Sequence, residues 1–146
     1  MLRPTLIATA ICGTVDILYA MVLTLVAGRD IGDMLRFVGS GPFPPATGMG
    51  TAGAILGLLV HFALMAMMVA AFMLAVRARP ALLDRAALAG LAFGIVTYIV
   101  MNWIVVPLRF DAPLPLAPMQ VARQLFAHIA LVGLPTAFIA RRYLRG

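Results

Sequence analysis

Four strongly polar side chains each stand alone within a long apolar stretch of the chain: Asp16, His61, Asn102 and His128. In "ILGLLVHFALMAMM", residues 55 to 68, His61 is the only residue that is neither apolar nor glycine. Ionisable groups inside a bilayer are costly, so they face the protein interior and pair with one another. We therefore predict a buried polar layer in which His61 hydrogen-bonds across the protein to Asp16 or His128.

The predicted polar layer is compatible with a structural role and with several kinds of chemistry. Interhelical hydrogen bonds alone hold membrane helices in register. In a proton-coupled transporter of small solutes, Asp16 would exchange a proton for the solute, while His61 and His128 relay it. Gln124 lies four residues before His128, on the same helical face, and joins the layer.

Two cofactor hypotheses use the same histidines. A b-type haem between His61 and His128 would need facing imidazoles and space for the ring. His61, Met65 and Met68 follow one another at i, i+4 and i+7, and imidazole with thioether ligands suits Cu(I). Methionine is also a common filler of apolar interfaces. We expect no cofactor, with haem b and copper as the alternatives.

Composition and missing motifs exclude other classes of protein. The sequence contains no P-loop, no HExxH and no nucleophile elbow, so we expect no enzymatic activity. The single cysteine, Cys12, excludes an intramolecular disulfide. The net charge of +6 comes from arginines that flank apolar segments and do not form a basic groove, so no nucleic-acid partner is expected.

Long apolar segments must hold the polar layer in place. The chain is 64% hydrophobic and 11% charged, which is typical of a protein that sits in lipid. A spanning helix needs about 20 mostly apolar residues. Four segments qualify: Thr5–Ala27, Thr51–Val76, Ala86–Leu108 and Met119–Ala140. These segments predict an all-α integral membrane four-helix bundle, with residues 1–146 as a single transmembrane domain.

Arginine distribution predicts the direction of these spans. With four spans, seven arginines fall on one side: Arg3, Arg77, Arg79, Arg85, Arg141, Arg142 and Arg145. Four fall on the other: Arg29, Arg36, Arg109 and Arg123. Arginine is enriched on the cytoplasmic side of membranes, so both termini are expected to be cytoplasmic. The polar residues then share a layer between the midplane and the outer half.

The first outer loop contains a helical pattern. Ile31, Met34, Leu35 and Val38 recur at i, i+3, i+4 and i+7 and form one apolar face. This pattern predicts a short helix, either lying in the outer interface or folded against the bundle.

Small residues predict where the spans approach closely. Gly53 and Gly57 form a GxxxG pair in the second span, and Gly90 and Gly94 recur in the third. Pro135 removes a backbone hydrogen bond and should kink the fourth span near Leu131. Such faces also allow a homo-oligomer, or a role as a non-catalytic accessory subunit of a larger membrane complex.

Several short motifs from about residue 55 to residue 146 resemble those of the YagU-like family, an uncharacterised group of bacterial inner-membrane proteins. They are "LAGLAFG" at 88–94, "VPL" at 106–108, "APLPLAP" at 112–118, "AHI" at 127–129 and "RRYLR" at 141–145. The family pattern has an acid four residues before the last histidine, where this chain has Gln124. The resemblance implies a place in the bacterial inner (cytoplasmic) membrane.

Overall fold

A computed structural model describes residues 1–145 as an all-α bundle, in which no strand occurs. The five helices are α1 (Leu2–Val26), α2 (Ile31–Gly39), α3 (Gly50–Ala78), α4 (Pro80–Phe110) and α5 (Pro118–Leu144). All except α2 are long and apolar enough to cross a membrane, so the chain is a multi-pass membrane protein. Each of the four predicted spans coincides with one of these four helices. The third begins earlier than expected because a 3₁₀ turn, Pro80–Arg85, precedes its α-helical part.

The spans pack in an order different from their order in sequence. Helix α1 packs between α3 and α5, and α5 packs against α4. Helices α3 and α4 meet through the rings of Phe72 and Phe93, whose centroids are 4.9 Å apart. The most deeply buried side chains, including Met65, Met73 and Val132, fill the space among these helices.

Helix α2 confirms the short helix predicted in the first loop, and it folds against the bundle. The Asp30 carboxylate caps its N-terminus by accepting a hydrogen bond of 2.9 Å from the backbone nitrogen of Asp33. A Cβ atom on Gly57 would lie 1.8 Å from the carbonyl oxygen of Leu35. Among residues 1–145, the glycine face of α3 therefore packs against α2 and not against one of the other spans.

The glycines of α4 bring its backbone against α5. A Cβ atom on Gly94 would lie 2.6 Å from Cα of Ile129, and one on Gly133 would lie 2.2 Å from the carbonyl oxygen of Gly90. The predicted role of these small residues as contact faces is confirmed. Because the faces are already covered within the chain, an accessory role in a larger complex would need another surface.

Both α4 and α5 contain a π-helical segment, Val100–Val105 and Ala127–Gly133 respectively. A proline follows each segment two residues later, Pro107 in α4 and Pro135 in α5. Proline lacks the N–H that closes a normal helical turn, and its ring clashes with the carbonyl four residues earlier. A wider turn relieves this clash. The disruption predicted near Leu131 therefore takes the form of a π-helical segment.

Candidate functional site

The two π-helical segments bring Asn102 and His128 into contact. The side-chain amide nitrogen Nδ2 of Asn102 lies 3.3 Å from Nε2 of His128. The same amide nitrogen donates to the carbonyl oxygen of Tyr98, also at 3.3 Å. An amide nitrogen only donates, so Nε2 of His128 accepts this hydrogen bond, and in the neutral ring the hydrogen sits on Nδ1.

The second ring nitrogen of His128 has no partner in residues 1–145. Its Nδ1 atom is buried and makes no hydrogen bond within that part of the chain. A buried donor without a partner costs about 1–3 kcal/mol. An acceptor that reaches Nδ1 would remove this cost, so His128 has an open hydrogen-bonding position that a fully satisfied ring would lack.

Tyr98 lies beside the His128 ring and is hydrogen-bonded in turn by Trp103. The indole Nε1 of Trp103 donates to the Tyr98 hydroxyl at 3.1 Å. The Tyr98 ring meets the His128 imidazole edge-on, with centroids 6.1 Å apart. The sequence-based site did not include these two residues. Tyr98 lies four residues before Asn102, on the same helical face, and this spacing could have predicted that it belongs to the site.

His61 belongs to a separate pair that joins α3 to α1. Its Nε2 atom lies 2.9 Å from the carbonyl oxygen of Gly13 and donates to it. A Cβ atom on residue 13 would be 2.6 Å from the Phe62 ring, so glycine is what lets the two helices come this close. The predicted direct partners of His61, Asp16 or His128, are therefore wrong. A backbone carbonyl one turn before Asp16 takes that place.

Asp16 makes no side-chain hydrogen bond or ion pair with any residue in the described part of the chain. It is half-buried on α1 and lies near enough to His61 to interact with it electrostatically. On the preceding turn, the Cys12 thiol lies 3.4 Å from the Thr136 hydroxyl of α5. Helix α1 therefore touches both the helix that carries His61 and the helix that carries His128.

The remaining predicted site residues lie around these pairs without joining them. Gln124 is half-buried on α5, and its side chain makes no hydrogen bond to another described residue. Met65 is 1% exposed and packs in the apolar core, with Met68 against it. Between residues 1 and 145 no group of three His, Cys, Asp or Glu side chains is placed to hold a metal ion.

Haem or copper binding would have to displace hydrogen bonds that both histidines already make. The Nε2 atoms of both His61 and His128 already have partners, Gly13 and Asn102. Haem or copper ligation through Nε2 would break these hydrogen bonds.

Among known proteins, no family model, curated protein or solved structure matches this chain. The case for function therefore rests on the side chains and their geometry.

Proposed function

We propose that this chain is a proton-coupled carrier of small solutes in the bacterial inner membrane, with both termini in the cytoplasm. The observation that carries the proposal is the contact between Asn102 and His128, which joins two π-helical segments. π-Helical turns inside membrane or soluble helices occur frequently at functional sites. Ionisable residues inside a membrane-spanning segment are functional suspects in their own right.

The Asn102–His128 pair couples protonation to a change in side-chain geometry. In the neutral ring, Nε2 accepts from the amide nitrogen of Asn102. A proton added to Nε2 would set two donors against each other. The Asn102 amide must then turn and present its oxygen, or α4 and α5 must shift. Proton uptake therefore rearranges the contact between these two helices, which is what a carrier needs.

Asp16 and His61 supply the second proton-exchanging group in the proposed carrier. The Asp16 carboxyl group has no hydrogen-bonding partner in residues 1–145. It lies close to the His61 imidazole, which is hydrogen-bonded to Gly13 on the same helix as Asp16. Asp16 exchanges the proton for the solute, and His61 passes it on. Helix α1 is the link between this group and His128, because Cys12 contacts Thr136 of α5.

Two sequence features support the bacterial inner membrane as the location and the cytoplasm as the side of both termini. Seven of the eleven arginines fall on the side that carries both termini, which favours the cytoplasm for that side. The motifs in residues 88–145 resemble those of the YagU-like bacterial inner-membrane proteins.

The test is proton uptake into liposomes that contain the purified protein and a pH-sensitive dye. A potassium gradient with valinomycin sets an inside-negative potential that draws protons inward. With a mixture of small solutes trapped inside the liposomes for the exchange, we expect the protein to accelerate acidification over protein-free liposomes, and Asp16→Asn to reduce that rate by about tenfold. Asp111→Asn is the matched control, because Asp111 is exposed at the end of α4 with φ 49°, a conformation that asparagine tolerates. Uptake equal to that of protein-free liposomes would overturn the proposal.

A further inference from the structure

An apolar groove of about 540 Å³ opens between α3 and α4 beneath α2. Its walls include Val60, Leu64 and Met67 from α3, and Val105 and Phe110 from α4. Arg109 is the single charged residue among the described residues that line it.

The groove follows from how the helices pack. Helices α3 and α4 meet through Phe72 and Phe93, well away from the end of α4 that carries Arg109. At the groove end, α2 covers the glycine face of α3 and reaches across to α4. There the rings of Phe37 and Phe110 stack with centroids 4.4 Å apart. The two spans thus meet directly at one end and are linked through α2 at the other, with a gap between them that faces lipid.

The length of the groove matches one leaflet of a bilayer. From Val60 to Met67 the wall on α3 rises about 10 Å, and from Met101 to Phe110 the wall on α4 rises about 14 Å. Half of the hydrocarbon core of a bilayer is about 15 Å thick. An extended acyl chain of one leaflet therefore fits along the groove, with its headgroup near the end of α4.

Arg109 places a positive charge at that end without a carboxylate to balance it. Its Nη2 donates to the carbonyl oxygen of Ser40 at 2.8 Å, and its Nε donates to that of Gly41. No carboxylate of residues 1–145 lies within ion-pair distance of this guanidinium. Neutral carbonyls hold the side chain in place, and Nη1 has no acceptor in that part of the chain. The remaining edge of the guanidinium, Nη1 with the second hydrogen of Nη2, can donate two hydrogen bonds to a phosphate group.

From these observations we infer that the groove and Arg109 together bind one anionic phospholipid, with an acyl chain between α3 and α4 and its phosphate at Arg109. Charge complementarity selects an anionic headgroup, and the leaflet-length apolar wall selects a lipid over a free phosphate. This site depends only on the spans crossing a membrane, so it stands apart from the proposed proton-coupled carrier.

Native mass spectrometry of the detergent-purified protein, titrated with phosphatidylglycerol or phosphatidylethanolamine, tests the site. We expect one phosphatidylglycerol per chain, retained at about tenfold lower lipid concentration than phosphatidylethanolamine. Arg109→Gln should bring the two lipids within about twofold of each other, while Arg109→Lys keeps much of the preference. Arg123→Gln removes an equal charge away from the groove and should leave the preference unchanged. Equal retention of both lipids by the unaltered protein would overturn the inference.

A second pair of variants tests the acyl-chain part of the site. Ala63 is exposed in the groove wall, so Ala63→Phe should fill the groove and abolish retention of both lipids. Ala71→Phe places the same bulk on an exposed position of α3 outside the groove and should have no effect. Unchanged lipid retention in Ala63→Phe would contradict the site. So would a Met67→Cys variant that forms a disulfide-linked dimer in lipid, since a second copy would then occupy the groove.

Discussion

The side-chain amide of Asn102 donates to Nε2 of His128 across the interface between α4 and α5, at 3.3 Å. Each residue lies in a π-helical segment that ends two residues before a proline. The contact therefore depends on the backbone of both helices as well as on the two side chains.

Asn102→Leu should destabilise the protein and lower proton uptake. Leucine leaves Nε2 of His128 without a donor while Nδ1 is already unpartnered, so we expect a loss of about 1–3 kcal/mol. Thermal unfolding in detergent measures the first effect and the liposome dye assay the second. Asn102→Asp is a useful comparison with Asn102→Leu, because its carboxylate accepts a hydrogen bond from a protonated ring and should keep His128 charged. Normal uptake in both variants would contradict a role for the pair.

Pro135→Ala should lower proton uptake without lowering the stability of the protein. Alanine restores an N–H for the carbonyl of Leu131, so the π-helical segment Ala127–Gly133 can return to α-helix. Stability should hold or rise, but His128 would turn away from Asn102 and proton uptake should fall. The same result is expected for Pro107→Ala in α4. A variant with full uptake would show that the π-helical geometry is dispensable.

His61→Leu and His61→Gln distinguish a tether from a proton carrier. The ring donates from Nε2 to the Gly13 carbonyl at 2.9 Å. Glutamine keeps a donor, so we expect it to preserve much of the thermal stability, whereas leucine loses the bond at a cost of about 0.5–1.5 kcal/mol. Neither side chain exchanges protons, so both should lower uptake. If glutamine restores uptake as well as stability, His61 is a tether alone.

Gly94→Ala should be among the most damaging small substitutions. Its Cβ atom would lie 2.6 Å from the carbonyl oxygen of His128 and from Cα of Ile129, and backbone cannot move aside as a flexible side chain does. We expect a loss of about 1–3 kcal/mol in thermal unfolding, together with a weakened Asn102–His128 contact. Gly48→Ala is the control, because nothing lies within 4 Å of its added Cβ atom. Equal stability of the two variants would contradict the tight α4–α5 packing.

The sequence predicted the spans, the short helix and the small-residue faces because each depends on local periodicity. Ile31, Met34, Leu35 and Val38 share a face in any helix, and Gly90 and Gly94 lie one turn apart wherever the helix packs. The pairing of the polar residues depended on which helices became neighbours. His61 donates to the backbone carbonyl of Gly13, and because every residue has such a carbonyl, the sequence does not indicate which one accepts.

Two other features needed the packed structure, for different physical reasons. The π-helical segment of α4 had a local signal, Pro107 in "VPL", which was not used to predict it. The groove had none, because it arises where α2 lies between α3 and α4, with Phe37 of α2 stacked on Phe110 of α4.

The most direct measurement of the central claim is nitrogen-15 NMR, in lipid, of protein labelled at its histidines and asparagine. The chain has two histidines, and His61→Gln assigns the spectrum. The geometry predicts opposite neutral tautomers: the hydrogen on Nε2 in His61, which donates to Gly13, and on Nδ1 in His128, which accepts from Asn102. It also predicts that acidification changes the Asn102 side-chain amide signal together with that of His128. A His128 ring with its hydrogen on Nε2, or an Asn102 amide that ignores the protonation of His128, would contradict the account.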